Sequence, residues 1–483
     1  MTPVVVVGGG LGGLAAAVRL SSQRIPTLLL EQRAYLGGRA YSFVDDTTGT
    51  VIDNGQHVLI AGYASTMAFL DTVGTRGLLA VQDIPELAFH HPVRGFCTLR
   101  LPRFPSPLHF GAGILLTDLF SAGDKMRMLR AGLALGRKTG TGSALRGKTG
   151  AGSALRGVAG AAEGERNIEG GGEGGGNAGA AGRGMTVEEW LDAHGQSPET
   201  KRSFWEPLAV AVMNEHIGIA SATVFLHAVR AAFLGDPLGA ALAVPTVGLS
   251  ELFVDPARAF VETHGGSVRT GADVVDVTLE EGRASSVGLR NGERIPCAAL
   301  VLALPSYRLP GLLPGPLRES GPLAEAASIP LSPIVSIHLW FESDFMPQRV
   351  LGVIGRHIQW VFNRRKICRE GGAGGHLSVV ISAGRSLVDL ENEELTRIAL
   401  DDLVSVFGRA VGVPVHDVVI REKRATFSCS PAVEHLRPRA GTPVPNLVLA
   451  GDWTATGYPA TIEGAIISGN RAAELVEQYL KPR

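Results

Sequence analysis

The sequence predicts an α/β protein of two domains, one assembled from the beginning, middle and end of the chain and the other inserted between those pieces. Three observations predict it. The first roughly sixty residues read as strand, glycine-rich turn, helix and strand. A central stretch, "GGSVRTGADVVDVTLEEGRASSVGLRNGERIPCAALVLALP", alternates apolar and polar residues between turn signals and ends in an apolar strand at 299–304. The C-terminal "NLVLAGDWTATGYPATIEGAIISGNRAAELVEQYL" supplies a short strand, a Gly/Pro-rich turn and a long helix. At 483 residues the chain exceeds what one small core organises.

Taken in order, the first element is "VVVVGGGLGGLAAAVRL", Val4–Leu20. Gly8, Gly10 and Gly13, with Leu11 and Gly12 between them, give the G-x-G-x-x-G spacing between a strand and a helix. The first glycine permits the turn, the second lets a diphosphate approach the backbone, and the third lets helix pack on strand. The diphosphate then meets the positive end of a helix. Glu31 closes the next strand, "TLLLE", eighteen residues after Gly13, where a carboxylate can accept from both ribose hydroxyls. "GGRAYSF" follows, adding Gly37, Gly38 and Arg39, a second backbone approach and a cation for phosphates.

From Lys138 a decamer repeats almost perfectly, "KTGTGSALRG KTGAGSALRG", and leads into "EGGGEGGGNAGAAGRG". So much glycine cannot offset chain entropy by burial, so residues 138–184 are expected to be a disordered insertion. Order resumes at "TVEE", where Thr186 and Glu189 form a capping box. The stretch 101–135 mixes apolar runs with Lys125, Arg127 and Arg130, and reads either as a membrane-resting amphipathic segment or as two buried helices.

Composition excludes several classes. Charged residues are 19% of the chain and the net charge is −1, which leaves no electrostatic footprint for nucleic acid. The four cysteines, Cys97, Cys297, Cys368 and Cys429, have no metal-ligand or dithiol spacing, and a reducing compartment is expected. No metal site is predicted. The N-terminus lacks a signal-peptide pattern, and no apolar run is long enough to span a bilayer. A cytoplasmic protein is expected, with room for contact at the inner face of the cytoplasmic membrane.

The motifs GGGxxGL, LxE and GGR together resemble the FAD fingerprint of the flavoproteins that include monoamine oxidases and phytoene desaturases. "LAGDWTATGYPATIEGA" resembles their second flavin motif. The resemblance implies FAD as cofactor on a Rossmann-like domain. It implies Gly451 and Asp452 near the ribityl or pyrophosphate, Thr461 and Ile462 opening a helix toward the flavin N1–C2=O edge, and Val274 pairing with adenine. "VIDNGQHVLI", "PLAVAVMN", "LWF…QWVFNR" and "EKRATFS" narrow it further: the chain resembles the bacterial hydroxysqualene dehydroxylases, except at the Gly-rich insertion.

That resemblance implies reduction of hydroxysqualene to squalene with loss of water, in squalene and hopanoid biosynthesis. It also implies an external electron donor and other squalene-pathway enzymes as partners. The expected division is an FAD domain at 1–90, 245–305 and 416–483, and a substrate domain at 91–137, 185–244 and 306–415. An amine cage looks incomplete, because Thr461 stands where amine oxidases carry a second aromatic. His57, in "DNGQH", is the candidate proton donor. Asp53 is expected to end its strand and Glu463 to close a helix N-terminus. Trp340, Phe341, Trp360, Phe362 and Tyr458 are candidates for the substrate wall. A desaturase running the flavin oxidatively and a non-catalytic flavin-binding partner are the competing readings.

Overall fold

Four consecutive valines, Val4–Val7, form a strand buried along its whole length, as a strand covered on both faces requires. A computed structural model describes residues 2–136, 184–319, 321–368 and 374–481. The expected insertion lies outside these residues except for Gly184.

The valine strand is the centre of a five-stranded parallel sheet, ordered Ser267–Arg269, Thr27–Leu30, Val4–Val7, Ala299–Leu302, Leu447–Leu449. The beginning, middle and end of the chain therefore build one sheet. Helix Leu11–Ser22 packs on it and against the terminal helix Ile462–Leu480. The two helices touch backbone to backbone: a Cβ on Gly469 would lie 2.1 Å from the Gly12 carbonyl oxygen. The strands Val274–Glu280, Arg283–Leu289 and Arg294–Pro296 form the expected antiparallel meander.

A seven-stranded sheet forms the second body, ordered His416–Phe427, Leu331–Phe341, Gly375–Ser382, Trp360–Asn363, Val350–Val353, Glu86–His91, Gly95–Arg100. One face packs Ile337, Leu339 and Val379 on helix Asn392–Phe407 through Leu395, Ala399 and Leu403. Side chains alternate across a strand, so Ser336 and Trp340 belong to the opposite face. The strands Glu86–His91 and His416–Phe427 straddle or lie beyond the expected divisions at 90/91 and 415/416. Strand character is a local property, whereas the choice of sheet is set by pairing with residues far away in sequence.

The stretch 101–135 folds as two helices, Leu108–Leu116 and Ala122–Gly136. Phe110, Ile114, Met128, Ala131 and Leu135 are buried, while Leu108, Leu115, Leu116, Met126 and Leu133 are exposed. The segment is thus a helix pair with one buried face and one exposed face. Thr186 and Glu189 make the reciprocal capping box. Among the described residues no helix is long and apolar enough to cross a membrane.

Candidate functional site

The glycines after the first strand do different work. Gly8 adopts φ +108°, and a Cβ on Gly13 would fall 1.9 Å from the Gly8 carbonyl oxygen, so strand and helix meet only because side chains are missing. Gly10 is the reverse case. A Cβ there would meet nothing within 4 Å, although Gly10 is the N-cap of helix Leu11–Ser22. The space lies at the positive end of a helix with no acidic residue in its first turn. Such a cradle fits the diphosphate of FAD.

The remaining motifs close around it. Glu31 is buried, accepting from the Gly9 N–H at 2.7 Å and the Arg33 N–H at 2.9 Å. The Gly37 N–H donates to the Gly9 carbonyl at 2.8 Å, docking the second glycine pair, Gly37 and Gly38, on the first turn. Arg39 pairs with Asp452 at 2.7 Å and donates to the Ala425 carbonyl at 2.6 Å, joining the GGR segment to the C-terminal motif. A Cβ on Gly12 would approach the Gly451 nitrogen to 3.4 Å, so both flavin motifs meet over the first helix. Val274 begins the meander two residues after Ala272, whose N–H donates to the Glu31 carbonyl at 2.8 Å. Thr461 caps the terminal helix by accepting from the Gly464 N–H at 3.1 Å, and Ile462 opens that helix.

Glu463 caps a different helix. Its carboxylate accepts from the Ser65 and Thr66 N–H groups at 2.9 and 2.8 Å, holding the start of helix Ala64–Val73. Tyr458 packs edge-on against His227 at 5.0 Å. Burial, and then the Glu463 charge, raise the Tyr458 phenol above its usual range.

His57 stands in the turn 54–58, after strand Val51–Asp53. Its Nδ1 lies 2.6 Å from the Gly55 carbonyl, which assigns the Nδ1 proton and leaves Nε2 as the second titrating atom. Burial lowers its pKa below the usual histidine value, and Arg39 adds to this; the Gly55 carbonyl and Asp53 oppose it. Asp53 accepts from Arg364 at 3.1 Å, from the Leu249 N–H at 2.9 Å and from Ser42 Oγ at 2.7 Å.

A mainly apolar cavity of about 270 Å³ opens between the strands Leu79–Val81, Leu242–Pro245 and the large sheet. Leu87, Leu242, Val244, Val350 and Trp360 line it, together with the polar Gln82, Glu86, Gln348 and Arg349, so its wall is mainly but not wholly apolar. Val244 and Ile367 in its wall belong to one apolar cluster with Phe362 and Val380, and Val58, the neighbour of His57, packs on that cluster. Trp360 thus lines the cavity, whereas Phe362 packs in the apolar cluster behind its wall. Trp340 is stacked instead on His376, 4.2 Å away, beside His416. Phe341 belongs to the core on the far side of the sheet.

Two residues here escape sequence reasoning. The fully buried Arg364 donates to Asp53, to Gln56 Oε1 at 2.8 Å and to the Val51 carbonyl at 3.0 Å, so it ties the His57 turn to the large sheet. Its signal is a charge at the end of the apolar run "WVFN". Arg437 is buried among the carbonyls of the second flavin motif, and nothing in "HLRPRAG" announces it. Among the described residues no cluster of histidine, cysteine and carboxylates could hold a metal.

The family model described as flavin containing amine oxidoreductase matches residues 11–477. The hydroxysqualene dehydroxylase of Rhodopseudomonas palustris is 30% identical over 98% of this chain and 97% of its own length. A 15-cis-phytoene desaturase of Solanum lycopersicum is more distant, 22% identical over 98% of this chain and 77% of its own. Among solved structures, an oxidoreductase from Methanosarcina mazei superposes with a TM-score of 0.71 at 15% identity, covering 98% of this chain and all of its own, which shows the fold.

Proposed function

The chain belongs to the flavin-containing amine oxidoreductase family, and we propose that its reaction is the reduction of hydroxysqualene to squalene with loss of water. FAD is the cofactor, and in its reduced form it supplies the hydride equivalent for this two-electron change. The observation that carries the reading is the mainly apolar cavity whose apolar wall continues to the His57 turn. Such a space suits a hydrocarbon chain bearing one hydroxyl. Relatedness to dehydroxylases along nearly the whole chain supports it.

In this reading His57 keeps its Nδ1 proton on the Gly55 carbonyl and passes a proton from Nε2 to the substrate hydroxyl. The C–O bond then breaks and water leaves, and a C–H bond takes its place at the same carbon. Arg364 holds the turn, so the imidazole does not need to be ordered when substrate arrives. Val58, Val244 and Phe362 keep water from recapturing the electron-poor carbon. Trp360 lines the path of the isoprenoid chain. An external donor returns two electrons per turnover.

A substrate so apolar resides in a bilayer. The exposed Leu108, Leu115, Leu116 and Leu133, with Lys125 and Arg130 beside them in sequence, suit contact with an anionic membrane surface. The protein then works at the inner face of the cytoplasmic membrane, beside the enzymes that supply its substrate.

Anaerobic turnover tests the reaction. Chemically reduced holoprotein should convert hydroxysqualene to squalene, and oxidised holoprotein should leave phytoene unchanged in the presence of an acceptor. Desaturation of phytoene with no dehydroxylation would overturn the reading.

A further inference from the structure

The loop from Gly451 to Thr461, the second flavin motif, has no strand or helix to hold it, yet it lies against the first flavin motif at Gly12. Its backbone carbonyls must be satisfied by something other than a ladder. Four of them, those of Asp452, Trp453, Thr454 and Tyr458, converge on one side chain. Arg437 Nη2 lies 2.7 Å from the Thr454 carbonyl, 2.8 Å from that of Tyr458 and 3.2 Å from that of Asp452. It also lies 3.1 Å from Thr456 Oγ1, and Nε is 3.4 Å from the Trp453 carbonyl. Glu434 takes Nη1 at 3.2 Å, and the guanidinium sits over the Phe427 ring, 4.7 Å from its centre.

This arrangement is costly unless the loop needs it. A buried guanidinium loses its hydration, and only a full set of acceptors offsets that loss. The single carboxylate, Glu434, is i−3 on the same turn, so the other acceptors are neutral oxygens of the loop itself. The charge therefore acts as a template for carbonyl direction. Each carbonyl it draws inward turns the next peptide N–H the other way, because the two groups are antiparallel across a planar peptide. Asp452 is held at both ends of its residue: its carbonyl by Arg437 and its carboxylate by Arg39.

We propose that Arg437 is a positioning residue for FAD: it sets the Asp452–Tyr458 loop in the conformation that binds the flavin, without touching the flavin itself. The proposal rests on the flavin assignment, and the experiment separates the two. Apoprotein is prepared for the native chain, Arg437→Lys, Arg437→Ala and Thr456→Val. FAD affinity is measured by quenching of flavin fluorescence, and the thermal midpoint is recorded with and without saturating FAD.

Lysine preserves the charge but offers a point ammonium in place of a planar fork. Arg437→Lys should remain folded and bind FAD about tenfold to a hundredfold more weakly, and its FAD-induced rise in midpoint should shrink accordingly. Thr456→Val removes one acceptor and should weaken FAD about threefold to tenfold with a near-native apoprotein midpoint. Guanidinium ion at millimolar concentration should restore part of the affinity of Arg437→Ala. A lowered apoprotein midpoint with native FAD affinity in both Arg437→Lys and Thr456→Val would overturn the proposal and leave Arg437 a stability element. Failure of the native apoprotein to take up FAD would overturn the flavin assignment as well.

Discussion

Replacing Gly10 by valine separates a cradle for a ligand from a constraint of folding. Gly10 has φ −71° and ψ 173°, extended backbone that any residue adopts, and its absent Cβ would meet nothing within 4 Å. Two small effects act on the apoprotein. Losing glycine at an N-cap costs up to about 1 kcal/mol. Reducing the freedom of the unfolded chain returns about 0.4–1 kcal/mol. They nearly cancel, so the apoprotein midpoint should move by no more than about 2–4 °C, the shift expected for 1 kcal/mol in a large domain.

FAD should respond very differently. The valine side chain would fill the space over the helix N-terminus and displace the diphosphate from backbone N–H groups. Charged hydrogen bonds are worth about 1.5–3 kcal/mol each. Loss of one or two lowers affinity by at least about tenfold, and toward a thousandfold or more. The assay is flavin content after saturation and desalting, with fluorescence titration of the apoprotein. Gly13→Ala is the contrast: its Cβ would collide with the Gly8 carbonyl, so it should destabilise the apoprotein itself. Native flavin content in folded Gly10→Val would refute the assignment of the cradle.

Glu31→Gln should weaken FAD by roughly 1–3 kcal/mol, read by the same titration, because the buried carboxylate loses its charge and the amide NH2 that replaces one oxygen cannot accept from the Gly9 or Arg33 N–H it then faces. His57→Ala should keep FAD and slow dehydroxylation by roughly 10²–10⁴-fold in single-turnover assays with pre-reduced protein. Burial lowers the His57 pKa, so its acid form is lost at lower pH than for an ordinary histidine; the native rate should therefore fall as pH rises through that lowered pKa, and the variant should lack this limb. Replacing exposed Leu116 and Leu133 by glutamate should reduce co-sedimentation with anionic vesicles and leave flavin content unchanged. Binding equal to the native protein's would remove this face from the membrane reading.

The second flavin motif marks where sequence reasoning stopped. "LAGDWTATGYPATIEGA" declares itself by its glycines and by the helix that follows, but not by what holds it. Arg437 lies fourteen residues before Gly451 in a stretch with the composition of a surface loop. Arg364 is similar: its partner Asp53 is 311 residues away, and its position after "WVFN" indicates only the end of a strand. Trp340 and Trp360 look alike in sequence and even share a sheet face, yet one is stacked on a histidine and the other lines the cavity.

The sequence by itself determined the parts that depend on neighbours in the chain. These are the valine strand, the glycine turn, the capping box at Thr186, the meander from Val274 and the terminal helix. Each is specified by spacing within a few residues, where steric limits and local hydrogen bonds act. Tertiary structure alone decided which sheet the strands Glu86–His91 and His416–Phe427 join. It also decided which helix Glu463 caps, and that Arg39 meets Asp452. Those choices bring together groups separated by hundreds of residues. Their energies depend on burial and on partners that local spacing does not encode.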